Sequence, residues 1–136
     1  MKIKQVSVFV ENQPGRLYAM LEVLGKAGIN MRALSVSETA EFGIVRMILD
    51  NPDAGLEALK KAGYTARQDM IVTAEIPDVP GGLLKMVAEP LAKAGINIDY
   101  FYAFLEPSSG RARIVLKVND IEKAEKLLNG ILEIKQ

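Results

Sequence analysis

One repeated segment constrains the fold of this chain more than any other feature. The stretch ENQPGRLYAMLEVLGKAGIN begins at Glu11, and a similar stretch, PDVPGGLLKMVAEPLAKAGIN, begins at Pro77. Aligning their Pro-Gly pairs also aligns the two KAGIN segments, provided that the second copy has one extra residue. Because the period is about half of the 136 residues, we predict that one folding unit occurs twice, as domains 1–69 and 70–136.

The first copy predicts a β-α-β-β-α-β order of elements. Val6, Val8 and Val10 alternate with other residues as in a half-buried strand. From Leu17 onward the apolar residues follow a helical spacing that ends at Gly28. Strands over 31–37 and 44–49 form a hairpin with its turn at AEFG, and a helix over 53–62 precedes a short strand at YTARQD.

The second copy repeats this order. A strand at 72–76 precedes a helix over 83–95, and strands over 98–105 and 113–118 form a hairpin with its turn at PSSG. A helix over 121–129 follows, and ILEIK supplies a short last strand. This order is typical of an α+β, ferredoxin-like unit, in which two helices cover one face of a four-stranded antiparallel sheet.

The absence of a linker indicates that the two units are close together. The segment ARQDMIVTAE runs from the last strand of the first copy into the first strand of the second. Units of roughly 65 residues are only marginally stable alone. We therefore predict that the two antiparallel sheets join side by side through their edges.

Each Pro-Gly turn predicts an anion site. Proline at a helix start gives up a donor that the helix could not use, and glycine allows a tight turn whose amides face outward. Asn12 and Asp78 precede these turns, and Asn30 and Asn97 end the two KAGIN segments. All four residue positions also suit caps and turns, so a purely structural role and a ligand contact are both open at this point.

The composition excludes several classes of function. Cysteine and histidine are absent, which rules out disulfides, a Ser-His-Asp triad, a cysteine nucleophile and histidine or thiolate metal sites. No carboxylates form a recognisable acid/base pair, so we expect no catalytic residue, metal or cofactor. Charges balance at 17 of each sign without a basic run, which argues against nucleic acid as a partner. We expect neither a signal peptide nor a membrane span, and a cytoplasmic protein.

These residues resemble the ACT domain, a small regulatory module that binds amino acids in many enzymes of amino-acid metabolism. The resemblance rests on ENQPGRL followed by AGIN within the β-α-β-β-α-β order, and it covers nearly the whole chain twice. The first copy is most similar to the serine-sensing ACT domain of phosphoglycerate dehydrogenase. Val10 and Ile76 replace a histidine of that domain, so the resemblance does not identify serine as the ligand.

The resemblance implies ligand sites between paired ACT domains, with Asn12 near Asn97 and Asp78 near Asn30. In ACT domains the loop after the first strand meets the start of the second strand of a neighbouring domain. The implied ligand-binding residues are Asn12, Gln13, Pro14, Gly15, Asn30 and Met31 in the first copy, and Asp78, Val79, Pro80, Gly81, Asn97 and Ile98 in the second.

The function that this resemblance implies is regulatory. A non-catalytic protein of this kind binds an amino acid or similar small carboxylate between its two ACT domains and signals to a partner protein, such as an enzyme of amino-acid metabolism. The alternative is a regulatory subunit of the acetohydroxyacid synthase small-subunit type, which acts mainly by protein contact.

Pro90 predicts an irregular helix in the second copy. It falls in the middle of the expected helix, where proline removes a hydrogen bond, and this copy has one extra residue. We predict irregular geometry of the π-bulge kind between Met86 and Pro90. A helix that simply begins later, near Pro90, is the alternative.

The aromatic residues of the second copy predict self-association. If Val6, Val8 and Val10 face the helices, then Leu34 and Phe101 also point inward, and Phe9, Tyr100, Tyr102 and Phe104 lie on the open face of the sheet. Such an apolar patch predicts a homodimer or a larger even-numbered assembly. A one-residue slip in the strand register would reverse these faces.

Overall fold

The computed structural model describes residues 1–105 and 110–135. The chain divides into two compact units: the first unit is Lys4–Asp69, and the second unit is Met70–Gln136 together with Met1–Ile3. Most of the predicted PSSG turn lies outside the described residues. Within the described part of the chain, no helix is both long and apolar enough to cross a membrane.

The elements follow the predicted order along most of the chain. They are β1 (Lys2–Glu11), α1 (Arg16–Lys26), β2 (Met31–Glu38), β3 (Phe42–Leu49), α2 (Pro52–Lys61), β4 (Ala66–Pro77), a π-helical turn (Leu84–Ala88), α3 (Glu89–Lys93), β5 (Ile98–Ala103), β6 (Arg111–Val118) and α4 (Ile121–Lys135). β4 is one uninterrupted strand of 12 residues, which confirms that ARQDMIVTAE continues from one repeat into the next.

In the first unit, β3 lies between β1 and β2. Val8 of β1 is opposite Val45 of β3, and all three strands are antiparallel to their neighbours. On the other side of β1, the Phe9 N–H donates to the Thr65 carbonyl just before β4. Helices α1 and α2 cover one face of this sheet, and the core side chains between them are Val6, Val8, Val10, Met20, Leu24, Val45, Met47, Leu49 and Leu59.

The second unit has the same arrangement. β6 pairs with β4 on one side and with β5 on the other. The Thr73 N–H donates to the Met1 carbonyl at 2.8 Å, so Met1–Ile3 lies beside β4 in the fourth-strand position. The core includes Val72, Ala74, Ile76, Val87, Leu91, Ile114, Leu116, Val118, Ala124 and Leu128. Burial of each large apolar side chain contributes about 1.5–3 kcal/mol. Both units therefore have the predicted α+β, ferredoxin-like fold.

The prediction that ILEIK forms a last strand is wrong. These residues belong to α4, which continues to Lys135. A single interior glycine, here Gly130, costs a helix only about 1 kcal/mol and does not end it. The strand position that ILEIK was expected to fill is occupied by Met1–Ile3.

The predicted irregularity before Pro90 is confirmed. Residues Leu84–Ala88 form a π-helical turn, and the Glu89 N–H donates to the Leu84 carbonyl five residues earlier. α3 then begins at Glu89, with Pro90 in its first turn, where a missing N–H costs little. The wide π turn thus accommodates the extra residue of the second copy and moves proline to a tolerated position.

The predicted faces of β5 are also confirmed. Phe101 is opposite the core residue Leu116, whereas Tyr102 is opposite Val115. Because paired residues project from the same face, Tyr100 and Tyr102 lie on the face away from the helices, where their ring centroids are 6.4 Å apart. Phe101 projects toward the helix side but remains 50% exposed, since β5 is an edge strand.

Candidate functional site

The Pro-Gly turn of the first unit places the N-terminus of α1 at the surface. The Gln13 N–H donates to the Glu11 carbonyl at 2.9 Å, and the Arg16 N–H donates to the Gln13 carbonyl at 3.2 Å. Gly15 is the N-cap of α1, with a φ of 84°, a left-handed conformation that favours glycine; its carbonyl accepts from the Ala19 N–H at 3.0 Å, and it has no side chain to cap the first amides. The Arg16 N–H is thus bonded within the turn, and no N-cap side chain occupies the amides that follow it, as an anion site at a helix N-terminus requires.

Asn12 fastens this turn to the hairpin between β2 and β3. Its N–H donates to the Glu41 carbonyl at 3.0 Å. Its side-chain amide donates to the Thr39 carbonyl at 3.2 Å and to Glu38 Oε2 at 3.4 Å. These contacts bring the loop after β1 and the end of β2 to the same edge of the unit.

A small cleft lies where these segments meet. Its volume is about 140 Å³, below the roughly 300 Å³ at which pockets for drug-sized ligands begin. Apolar side chains and one glycine line part of it, and polar residues of the loop and of β2 line the rest. The lining residues are Val10, Glu11, Asn12, Gln13, Leu17, Val36, Glu38, Gly43 and Val45. We call this the loop cleft.

The loop cleft has charges of both signs nearby. Glu11 and Glu38 contribute carboxylates, and Arg16 lies 3.7 Å from Glu11 at the N-terminus of α1. That helix end carries a partial positive charge of about half an elementary charge. The acidic groups whose pKa values are lowered by neighbouring donors, Asp53 and Glu89, lie outside this cleft.

A second cleft lies on the other side of the β1 end. It measures about 260 Å³ and includes the exposed rings of Phe9 and Phe42 together with Arg16, Tyr64 and Thr65. It is larger than the loop cleft, but Arg16 at its edge is already paired with Glu11. The predicted loop residues Asn12 and Gln13 line only the first cleft of these two.

The KAGIN asparagines hold the starts of β2 and β5. The Asn30 N–H donates to Asp50 Oδ1 at 3.1 Å, and the Asp50 N–H donates back to the Asn30 carbonyl at 3.0 Å. In the second unit Asn97 and Asn119 exchange the equivalent two bonds, at 3.0 and 3.3 Å. The Asn97 side chain also donates to Asp99 at 2.8 Å. These backbone bonds give both asparagines a structural role in their own unit.

The second Pro-Gly turn repeats the backbone of the first but differs in side chains. The Asp78 N–H donates to the Gly110 carbonyl, as Asn12 does to Glu41, and Gly81 has a φ of 77°. Val79, which follows Asp78, is 56% exposed. The turn geometry is therefore shared by the two units, whereas the chemistry around it is not.

The structure groups only some of the predicted site residues. Asn12 and Gln13 line the loop cleft and Pro14 and Gly15 form its turn, but Asn30 and Met31 lie at the start of β2 and do not line it. Pro80 and Gly81 form the second turn, and Ile98 begins β5 as a half-buried residue. The expected approach of Asn12 to Asn97 and of Asp78 to Asn30 stays a prediction.

Of the nine residues that line the loop cleft, sequence reasoning assigned only Asn12 and Gln13 to the site, and Glu38 and Gly43 are two of those that it missed. Glu38 ends β2 and Gly43 lies near the start of β3, and both reach the cleft because β3 pairs with β1. The signal that could have found them is strand register: Gly43 is opposite Val10, the residue two positions before Asn12.

Comparison with known proteins decides the family. Residues 1–134 match the family described as an ACT domain pair. The chain belongs to this family. The resemblance to tandem ACT domains is thus confirmed. No curated protein matches the sequence.

Solved structures with the same fold cover nearly the whole ACT domain pair. Protein BT0572 from Bacteroides thetaiotaomicron is 35% identical, with a TM-score of 0.88 over 96% of this chain and 88% of that chain. The ligand-free regulatory subunit of aspartate kinase from Thermus thermophilus is 20% identical, with a TM-score of 0.73 over 98% and 93% of the two chains. The corresponding subunit from Thermus flavus is 19% identical, with a TM-score of 0.68 over 100% and 96%.

Proposed function

We propose that this ACT domain pair is a non-catalytic regulatory protein that binds a small amino acid and transmits its presence to a partner enzyme of amino-acid metabolism. The observation that supports this most directly is the loop cleft. The Glu38 carboxylate in its lining is suited to an ammonium group, and Leu17 places the cleft beside the N-terminus of α1, which has no side-chain cap and is suited to a carboxylate. A free amino acid has both groups a short distance apart.

The regulatory part of the proposal is supported by the similarity to regulatory subunits of aspartate kinase. Those proteins serve an enzyme, and this chain covers more than nine-tenths of their length. We infer a comparable partner for this chain, in the reducing cytoplasm that the lack of cysteine favours.

A second candidate function is that of an interaction subunit acting mainly by protein contact. Exposed apolar side chains of the second unit favour it: Val79, Leu84 and Leu105 are 56%, 61% and 62% exposed. Residues of this kind are typical of protein contact surfaces when they cluster. Ligand binding separates the two candidates, since a protein that acts only by contact binds no amino acid.

Isothermal titration calorimetry of the full chain with the common amino acids, one at a time, tests the proposal. We expect saturable binding of at least one small amino acid. The absence of heat with every amino acid at millimolar concentration would contradict ligand sensing and favour the interaction subunit.

A further inference from the structure

We propose that only the first repeat holds the ligand, so that each chain binds one small zwitterionic α-amino acid in the loop cleft. This inference rests on the proposed function and adds the number of sites and the ligand class. It follows from how the two repeats differ at the positions that line the cleft.

The strand pairs define which positions are equivalent. Val10 of β1 is opposite Gly43 of β3, and Ile76 of β4 is opposite Ala112 of β6. Gly43 lines the loop cleft, so the second repeat has a methyl group at the position where the first repeat leaves space.

Two polar residues that line the loop cleft are replaced by apolar residues in the second repeat. Val79 replaces Gln13 in the second loop, and Leu105 replaces Glu38 after the second hairpin strand. Both replacements are more than half exposed and apolar. At these two positions the second repeat therefore has apolar side chains in place of the Gln13 amide and the Glu38 carboxylate.

The charge next to the turn also differs. Asp78 stands where the first repeat has Asn12, so a carboxylate precedes the second helix start. A ligand carboxylate bound at that helix N-terminus would be repelled by Asp78, whereas Asn12 is neutral. The first repeat thus complements a zwitterion, whereas the second repeat places a carboxylate next to the helix start, where it opposes binding of the ligand carboxylate.

The size of the loop cleft restricts the side chain of the ligand. A volume of about 140 Å³ with apolar walls from Val10, Leu17, Val36 and Val45 suits a short side chain. We expect alanine, serine or threonine to bind more tightly than lysine or phenylalanine.

Nuclear magnetic resonance of the 15N-labelled full chain tests where and how many ligands bind. L-alanine, L-serine and L-threonine are the probes. We expect saturable shifts of the Gln13 and Gly15 amides with one equivalent bound, and no saturable shift of the Gly81 amide.

Two matched variants test the role of the cleft. A Cβ on Gly43 would lie 3.6 Å from the Val10 carbonyl oxygen and 4.0 Å from Val36, which are ordinary contacts, and Gly43 does not have a left-handed backbone. Gly43→Ala should therefore fold normally and bind at least tenfold more weakly. Ala112→Gly, the matched change in the second repeat, should leave affinity unchanged.

The ammonium contact has its own test. Propionate is L-alanine without its ammonium group, and we expect it to bind at least tenfold more weakly than L-alanine. Glu38→Gln should remove most of that difference by weakening L-alanine alone. Equal loss for both probes would indicate a merely structural role for Glu38 and contradict the assigned contact.

The outcomes distinguish this inference from the proposed function. Equal saturable shifts at Gly15 and Gly81, or two equivalents bound, overturn the single-site inference and leave amino-acid sensing intact. A folded Gly43→Ala protein with unchanged affinity also overturns it. If no amino acid shifts any amide, both proposals fail.

Discussion

Asn12 has two roles at the residue scale, and its replacement separates them. Its amide fastens the loop to Thr39 and Glu38 at the surface, and it also lines the loop cleft. Asn12→Ala should weaken amino-acid binding roughly 5- to 150-fold, the equivalent of about 1–3 kcal/mol, while the free energy of unfolding falls by about 1 kcal/mol or less.

Calorimetry and urea unfolding measure these two effects. Asp78→Ala is the matched control in the second loop, and it should leave affinity unchanged. Unaltered binding by the Asn12→Ala protein would show that the loop asparagine makes no ligand contact.

Two glycines give opposite predictions for the same substitution. A Cβ on Gly82 would lie 2.5 Å from the Pro77 carbonyl oxygen, which is too close for the backbone to relieve cheaply. Gly82→Ala should lower the free energy of unfolding by about 1–3 kcal/mol, whereas Gly43→Ala should be nearly neutral. Urea denaturation of both variants checks this, and equal stability would contradict the close approach at Gly82.

The Asp53 carboxyl is expected to make the stability of the folded protein depend on pH. The Gln68 amide donates to its Oδ1 at 2.8 Å and Lys4 lies 3.0 Å away, and these contacts lower the pKa of the Asp53 carboxyl. A carboxyl with a lowered pKa in the folded protein stabilises it above the unfolded pKa, and this contribution is lost as pH falls through the folded value.

Titration by carbon NMR measures the pKa directly. Gln68→Ala should raise the pKa of Asp53 toward its ordinary value, and Lys4→Met should do so through the lost cation. A pKa that does not move in the Gln68→Ala protein would rule out the hydrogen bond as the main cause.

At the scale of elements, the π turn explains how Pro90 is tolerated. Pro90 lies in the first turn of α3, so Pro90→Ala should change the free energy of unfolding by no more than about 1 kcal/mol. Val23 occupies the equivalent position before KAGIN in α1, which has no π turn. Val23→Pro should therefore cost about 3 kcal/mol or more. Thermal unfolding measures the stability of the two variants, and a similar loss of stability in both would contradict this explanation.

Local patterns predicted most elements because their apolar periodicity was long and their turns had glycine. The π turn was also predictable from local sequence, because Pro90 and the extra residue of the second copy are both visible there. The conformation of ILEIK was predicted wrongly, because its apolar residues suit a strand or a helix equally. The strand position next to β4 is filled instead by residues from the other end of the chain.

The candidate site was predictable only in part, because some of its residues come together through long-range strand pairing. Asn12 and Gln13 belong to a local loop motif, whereas Glu38 and Gly43 reach it through strand pairing. Pairing partners far apart in sequence leave no local pattern. The faces of Tyr100, Phe101 and Tyr102 were predicted from alternation together with the alignment of the two repeats, and the structure confirms them.

At the scale of the whole molecule, the aromatic face of β5 predicts self-association. Tyr100 and Tyr102 stack on the helix-free face of the second unit, and Phe104 packs against the Arg113 guanidinium at 4.2 Å. We expect a homodimer that buries this face. Light scattering should give the dimer mass at tens of micromolar and the monomer mass for Tyr102→Lys. A strict monomer, or a Tyr102→Lys dimer, would contradict it.

The most direct test of amino-acid sensing is native mass spectrometry of the full chain incubated with L-alanine, L-serine or L-threonine. We predict that each protomer gains the mass of one amino acid, and that Gly43→Ala protomers gain none at the same concentration. Protomers that stay ligand-free with every amino acid would contradict the account.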